Sequence, residues 1–191
     1  YKVEFNEKQY REIDRHCKEK GIAWMVSVWD EPAVDFMEKF DTPAYKIPSA
    51  SLTDHNLLRH VRKTGKPIII STGMSTMAQI HKGAKAVGED NLVIMHCTST
   101  YPCEPEELNL KMIETLRKEF PHNPIGYSGH EVGLVPSAIA VSLGAWQVVN
   151  SRAAESRIRD ANIAEESSKL TKYNILTQSG LAALAHQLGP G

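Results

Sequence analysis

Leu92-Val93-Ile94-Met95-His96-Cys97-Thr98-Ser99-Thr100-Tyr101-Pro102 is the stretch on which the fold turns. Four apolar residues in a row, led in by Gly88-Glu89-Asp90-Asn91, read as a strand buried on both faces. Such runs are the habit of parallel sheets covered by helices. The run gives way to a histidine and then to the hydroxyl residues Thr98, Ser99 and Thr100. In parallel α/β folds, ligands bind at the carboxyl ends of the strands.

The same format recurs on both sides of this stretch. Upstream, Ile22 to Trp29, Ala44 to Ser49 and Lys66 to Gly73 read as strands, with Ser27, Ser49, Ser71 and Thr72 at or near their tips. Downstream, Pro124 to His130 is a further strand and tip, and Trp146-Gln147-Val148-Val149 begins a sixth. The intervening segments carry helix signals. Asn6 with Gln9 forms a capping box, and Phe5 is placed to staple Tyr10. Gly21 stops that first helix, and Asp30-Glu31-Pro32 opens the next. Helices are expected over Asp54 to Arg62, Thr76 to Val87, Pro105 to Phe120 and Val132 to Leu143. Tips spaced by 20 to 30 residues fit successive βα units. Short strands with a polar tip on each favour a (β/α)₈ barrel over an open doubly wound sheet. A closed barrel needs eight strands, so the expectation is an incomplete TIM barrel of about six units.

Composition narrows the partners. The chain has 191 residues, with 22 basic against 23 acidic side chains and a formal net charge of −1. That balance points away from nucleic acid and from a membrane surface. No apolar run reaches the roughly 20 residues of a transmembrane helix. Cys17, Cys97 and Cys103 are an odd number at spacings that suit neither a disulfide framework nor a zinc site. A reducing, cytoplasmic setting is expected, with Cys97 a small buried hydrophobe. The opening on Tyr1-Lys2-Val3 reads as a piece of a longer protein.

Two features carry candidate chemistry. Lys46 lies inside a short strand, with Ser49, Ser71, Thr72, Ser99 and Ser128 on neighbouring tips. A buried ammonium needs an anion, so lysine and hydroxyls converging on one mouth would cradle a phosphate or carboxylate. The same spacing also fits strand-ending serines and a lysine that snorkels to solvent. In Gly126-Tyr127-Ser128-Gly129-His130, glycines around a tip histidine would admit a ligand or metal, although a lone histidine can equally be structural. His96 lies deeper in its strand and suits a hydrogen bond within the barrel.

Tyr45-Lys46-Ile47-Pro48-Ser49, Thr64-Gly65-Lys66-Pro67-Ile68-Ile69-Ile70-Ser71-Thr72-Gly73-Met74, His96-Cys97-Thr98-Ser99-Thr100-Tyr101-Pro102 and Tyr127-Ser128-Gly129-His130 occur in this order. Together they resemble the sialic acid (nonulosonic acid) synthase family over about residues 1–148. The resemblance implies a TIM barrel that condenses phosphoenolpyruvate with an N-acetylmannosamine-type sugar. It implies a divalent metal, Mn²⁺ or Mg²⁺, polarising the sugar aldehyde. By position it makes Lys46, Ser49, Ser71 and Ser128 phosphoenolpyruvate contacts, Ser27 and Ser99 further substrate contacts, and His130 one of two metal histidines. The second metal histidine of the family falls, without gaps, at Val149-Asn150-Ser151, none of which is an imidazole. The family's first two barrel strands, which carry a catalytic glutamate and further phosphate ligands, and its C-terminal antifreeze-like domain are expected to be missing from this sequence. Impaired turnover is therefore expected.

From residue 149 the pattern changes. Ile163, Leu170, Thr177, Leu181, Leu184 and Leu188 fall on one helical face. Ser156-Arg157-Ile158-Arg159-Asp160-Ala161-Asn162-Ile163-Ala164-Glu165-Glu166 and Thr171-Lys172-Tyr173-Asn174-Ile175-Leu176-Thr177-Gln178-Ser179-Gly180 resemble the C-terminal segment of bacterial flagellins, over about residues 153–188. That resemblance implies a helical tail that packs among like helices in a filament. The expected domains are a barrel domain over 1–148 and a helical tail over 149–191. The open edges of an incomplete barrel, together with such a tail, make self-association the expected behaviour.

Overall fold

A computed structural model of the chain describes residues 5–146 and 148–150. The expected tail helix lies outside the described residues, and the chain divides after Arg152.

The described part alternates helix and strand: α1 (Glu7–Lys20), α2 (Glu31–Met37), β1 (Tyr45–Ile47), α3 (His55–Arg62), β2 (Ile68–Ser71), α4 (Met77–Val87), β3 (Leu92–Cys97), α5 (Met112–Glu119), β4 (Ile125–Gly129), α6 (Val135–Ser142) and β5 (Val148–Asn150). The five strands form one parallel sheet in the order β1-β2-β3-β4-β5. In a doubly wound sheet the order reverses at a switch point, whereas here spatial order is chain order throughout, as in an arc of a barrel.

The faces separate just as cleanly. Tyr45, Ile47, Ile68, Ile70, Ile94, Ile125 and Tyr127 join one buried apolar cluster with residues from α2 through α6. Because side chains alternate along a strand, Lys46, Ile69, Ser71, Met95, Cys97 and Ser128 point to the opposite side. All the covering helices pack on one face of the sheet. The architecture is α/β, a partial TIM barrel, and the other face is the barrel interior.

Local sequence explains the element ends. Asn6 accepts from the Gln9 N–H at 3.1 Å while the Gln9 carboxamide accepts from the Asn6 N–H at 2.8 Å. Phe5 meets Tyr10 edge-on with ring centroids 6.0 Å apart, the expected staple. Gly21 at φ 64° ends α1 in the left-handed conformation. Thr76 and Gln79 make a second capping box on α4.

Three expected elements differ. Residues 22–29 form no strand among the described residues. They hold β1 through a single bridge, Ser27 to Lys46, with Val28 N–H donating to the Lys46 carbonyl at 3.1 Å and Lys46 N–H to the Val26 carbonyl at 3.3 Å. β1 is only three residues long and offers nothing more to pair with. The expected Pro105–Phe120 helix is a 3₁₀ turn over Pro105–Glu107 followed by α5, with Asn109 at φ 43° between them. The break lets the Leu108 carbonyl turn back and accept from His96 Nε2 at 2.7 Å. The helix expected from Val132 starts at Val135, after Gly133 takes φ 97°.

Candidate functional site

Strand register builds the site. Lys46 pairs with Ile69, Ser71 with Met95, and Cys97 with Ser128, so these inward side chains occupy successive levels rising toward the carboxyl ends. Ser27 sits beside Lys46 through their bridge, and its side chain is exposed. After β1 the chain turns through Pro48 into a short 3₁₀ helix, Ser49–Ser51, which brings Ser49 back over the interior. There Ser49 Oγ accepts from the Gly73 N–H at 3.0 Å.

Gly73 shows how closely the tips converge. A Cβ at this position would lie 2.2 Å from Ser99 Oγ, 2.9 Å from Ser49 Oγ and 3.2 Å from the Cys97 carbonyl oxygen. Only a residue without a side chain lets both hydroxyls meet over β2.

The interior is polar at this end and short of partners. Lys46 is half-buried and burial pulls its pKa below the usual lysine range, opposed only by Cys97; no described carboxylate pairs with it. Cys97 is buried, and burial pushes its thiol pKa up. Hydroxyls of Ser49 and Ser128, with the Lys46 ammonium, act the other way on the same sulfur. Ser71 is 1% exposed, and its Oγ has no hydrogen-bond partner among the described residues. His130 Nδ1 is likewise buried and unpartnered, with the ring edge-on to Tyr101 at 5.3 Å. An ammonium with no described carboxylate beside it and a buried serine hydroxyl without a described partner suit a small anion with several oxygens.

The structure thus brings Lys46, Ser49, Ser71, Ser99 and Ser128 to one face, with Ser27 at its margin and His130 at the tip of β4. Cys97, read from sequence as a buried hydrophobe, faces the same interior. Its strand-end position and odd parity from His96 were the available signals.

The remaining tip hydroxyls are structural. Thr72 Oγ1 donates to the Met95 carbonyl at 3.0 Å. Thr98 Oγ1 donates to the Glu107 and Leu108 carbonyls, both at 3.3 Å, and Thr100 Oγ1 to Glu107 Oε1 at 3.3 Å. His96 lies on the helix side, stacked against Tyr127 at 5.9 Å, rather than within the barrel interior. His96 and Cys97 therefore point to opposite sides of the sheet and cannot share an ion.

A divalent metal fits poorly. Among the described residues no three His, Cys, Asp or Glu side chains are grouped as a metal site requires. His130 supplies one imidazole, and no step below is routed through a metal.

This geometry defines a partial (β/α) barrel that gathers a lysine and several serine hydroxyls at its strand ends. The chain belongs to the NeuB family, whose model matches residues 1–155. A second model, the bacterial flagellin C-terminal helical region, matches residues 139–188. The chain is 41% identical over 146 residues to an N-acetylneuraminate-9-phosphate synthase of Homo sapiens, covering 75% of this chain and 40% of that protein. It is 33% identical to an N,N'-diacetyllegionaminic acid synthase of Legionella pneumophila, covering 75% and 42%. A pseudaminic acid synthase of Campylobacter jejuni is 36% identical, with 71% and 40% covered. The chain thus spans about two fifths of the length of these relatives, 40% to 42%. Among solved structures, the N-acetylneuraminic acid synthetase of Leptospira borgpetersenii superimposes with a TM-score of 0.74 at 26% identity, over 76% of this chain and 52% of that one. A phospho-2-dehydro-3-deoxyheptonate aldolase (DAHP synthase) from Thermotoga maritima, 16% identical with a TM-score of 0.69, shares the fold; the match covers 93% of this chain and 56% of that one.

Proposed function

We propose that the described part of this chain is the phosphoenolpyruvate-holding portion of a nonulosonic acid synthase. The reaction it serves condenses phosphoenolpyruvate with an N-acetylmannosamine-type sugar. The alkene carbon of phosphoenolpyruvate attacks the open-chain aldehyde, water adds at the phosphate-bearing carbon, and phosphate leaves. The single observation that carries this reading is the Lys46 ammonium, drawn into the barrel interior with no described carboxylate beside it. Around it the hydroxyls of Ser49, Ser71, Ser99 and Ser128 supply donors, and Ser27 lies at the margin. Their task is to bind and orient the trianion and to keep water from all but one side. His130 stands at the tip where the sugar would approach. In the family a divalent metal, Mn²⁺ or Mg²⁺, supplies Lewis-acid activation of the aldehyde; of the two histidines that would hold it only His130 has a counterpart, the second position falling at Val149-Asn150-Ser151, so binding is assigned here and turnover is not.

The names of the relatives support this reading in kind, since they are N-acetylneuraminate-9-phosphate, legionaminic and pseudaminic acid synthases. Thermal unfolding with phosphoenolpyruvate tests it. A ligand at a hundred times its dissociation constant adds about 2.7 kcal/mol to the folded state, a shift of roughly 5–11 °C. Lys46→Ala is expected to remove that shift while leaving a cooperative transition. An unshifted wild-type transition, or a Lys46→Ala shift equal to wild type, would remove the assignment.

A second reading rests on the flagellin match over residues 139–188. There the barrel domain, over about residues 1–148, is a passenger on a helical tail, over 149–191, that assembles with other copies. Pelleting of the chain under filament-forming conditions, compared with the same chain truncated after residue 152, separates the two.

A further inference from the structure

The site's one histidine is held by a residue with no place in the binding scheme above. Glu131 follows His130 directly, is 1% exposed, and turns its carboxylate to the helix side of β4. Tyr127 donates its phenol O–H to Glu131 Oε2 at 2.7 Å, and Ser137 donates its hydroxyl to Oε1 at 3.4 Å. The carboxylate folds back against Gly129, where a Cβ would lie 2.2 Å from Oε2 and 2.7 Å from Oε1. On the far side, Cys103 N–H donates to the His130 carbonyl at 3.2 Å, and Cys103 bridges Glu131 as a parallel β pair. The Glu131 side chain therefore ties β4 to the first turn of α6, while the backbone of residues 130 and 131 ties in the loop after β3, all at the residue next to His130.

We propose that Glu131 is a positioning residue for His130 and, through the tip of β4, for Ser128. Its carboxylate, clamped by Tyr127 and Ser137 and seated against Gly129, fixes the turn that aims the His130 ring, whose buried Nδ1 has no partner among the described residues. Burial, and then the carboxylate itself, push the Tyr127 pKa far up, so the phenol stays an O–H donor to Glu131. A buried carboxylate holding two hydroxyl donors is a rigid anchor, because each donor lost removes compensation from a charge that burial makes costly. The functional consequence rests on the anion-cradle reading. The positioning itself is read independently.

The test compares Glu131→Ala, Glu131→Gln and Tyr127→Phe by the ring resonances of His130, assigned through His130→Gln, and by phosphoenolpyruvate affinity. Glu131→Gln keeps an acceptor for Tyr127 and is expected to leave the His130 resonances in place, with affinity within about twofold of wild type. Glu131→Ala and Tyr127→Phe are expected to move those resonances and weaken phosphoenolpyruvate about tenfold, the effect of one buried hydrogen-bond partner. Should Glu131→Ala fail to fold, Tyr127→Phe decides alone, since it removes one hydroxyl. Unmoved His130 resonances in folded Tyr127→Phe or Glu131→Ala overturn the proposal. A wild-type chain that does not bind phosphoenolpyruvate overturns the cradle instead, and the resonances still decide the positioning.

Discussion

Gly73 makes the sharpest claim at the scale of single residues. A methyl group there collides with two serine hydroxyls and a backbone carbonyl, and the hydroxyls are the groups able to move. Gly73→Ala is expected to keep the fold and weaken phosphoenolpyruvate about tenfold or more, the loss of about 1.4 kcal/mol. Calorimetric titration checks it, and undiminished affinity would detach Ser49 and Ser99 from the cradle. His96 gives a pH prediction. Burial holds its pKa below the ordinary histidine value, against the pull of the Leu108 carbonyl. The unfolded chain therefore takes up a proton that the folded chain refuses. Stability is fully present above the unfolded value of about 6.5 and is lost progressively as pH falls from there through the lower folded value. Denaturant midpoints at pH 5 and pH 7.5 should differ more for wild type than for His96→Gln, and equal differences would exonerate His96. Lys46 and the serines were legible because tip position and residue type suffice to nominate them. Glu131 was not, because its role depends on a fold-back over Gly129 that no local pattern announces.

Elements were legible where caps and periodicity agreed. Asn6, Gly21, Thr76 and Gln79 set helix ends as their chemistry requires. Thr76→Ala removes the side-chain acceptor for the Gln79 N–H and disrupts the reciprocal box. It is expected to cost about 1 kcal/mol, read as a lower midpoint at unchanged slope in urea. A midpoint equal to wild type would mean that packing of Ile80, Ala84 and Val87 alone sets the start of α4. The misread elements failed for tertiary reasons. The segment from 105 to 111 bends because Leu108 serves His96 and Thr98, bonds made across 10 to 12 residues. Residues 22–29 have strand composition, yet strand pairing also depends on the length of the neighbour.

At the scale of the molecule, the hydrogen-bonding edges dominate. Among the described residues β5 pairs only with β4, and the segment at Ser27 pairs only with β1. Unpaired N–H and C=O groups on such edges recruit further strands. Light scattering over a concentration series is therefore expected to show mass rising above that of one chain, 21.3 kDa. A constant monomer mass would mean that the edges are covered within one chain. The barrel class was legible from repeated strand, tip and helix. That all the covering helices lie on one face follows from right-handed crossovers combined with a strand order that never reverses.

Spatial order equal to chain order has a further consequence. Each ladder joins consecutive units, so every sheet contact closes a loop of only one unit, and contact order stays low for a parallel sheet. A boundary placed in any connecting loop severs a single ladder and threads nothing. Lineages can then gain or shed whole units from either side while the remaining neighbours keep their register. In such an arrangement Lys46, Ser71 and Ser128 lie on separate strands joined only through near neighbours, so the pocket's completeness can be graded one unit at a time.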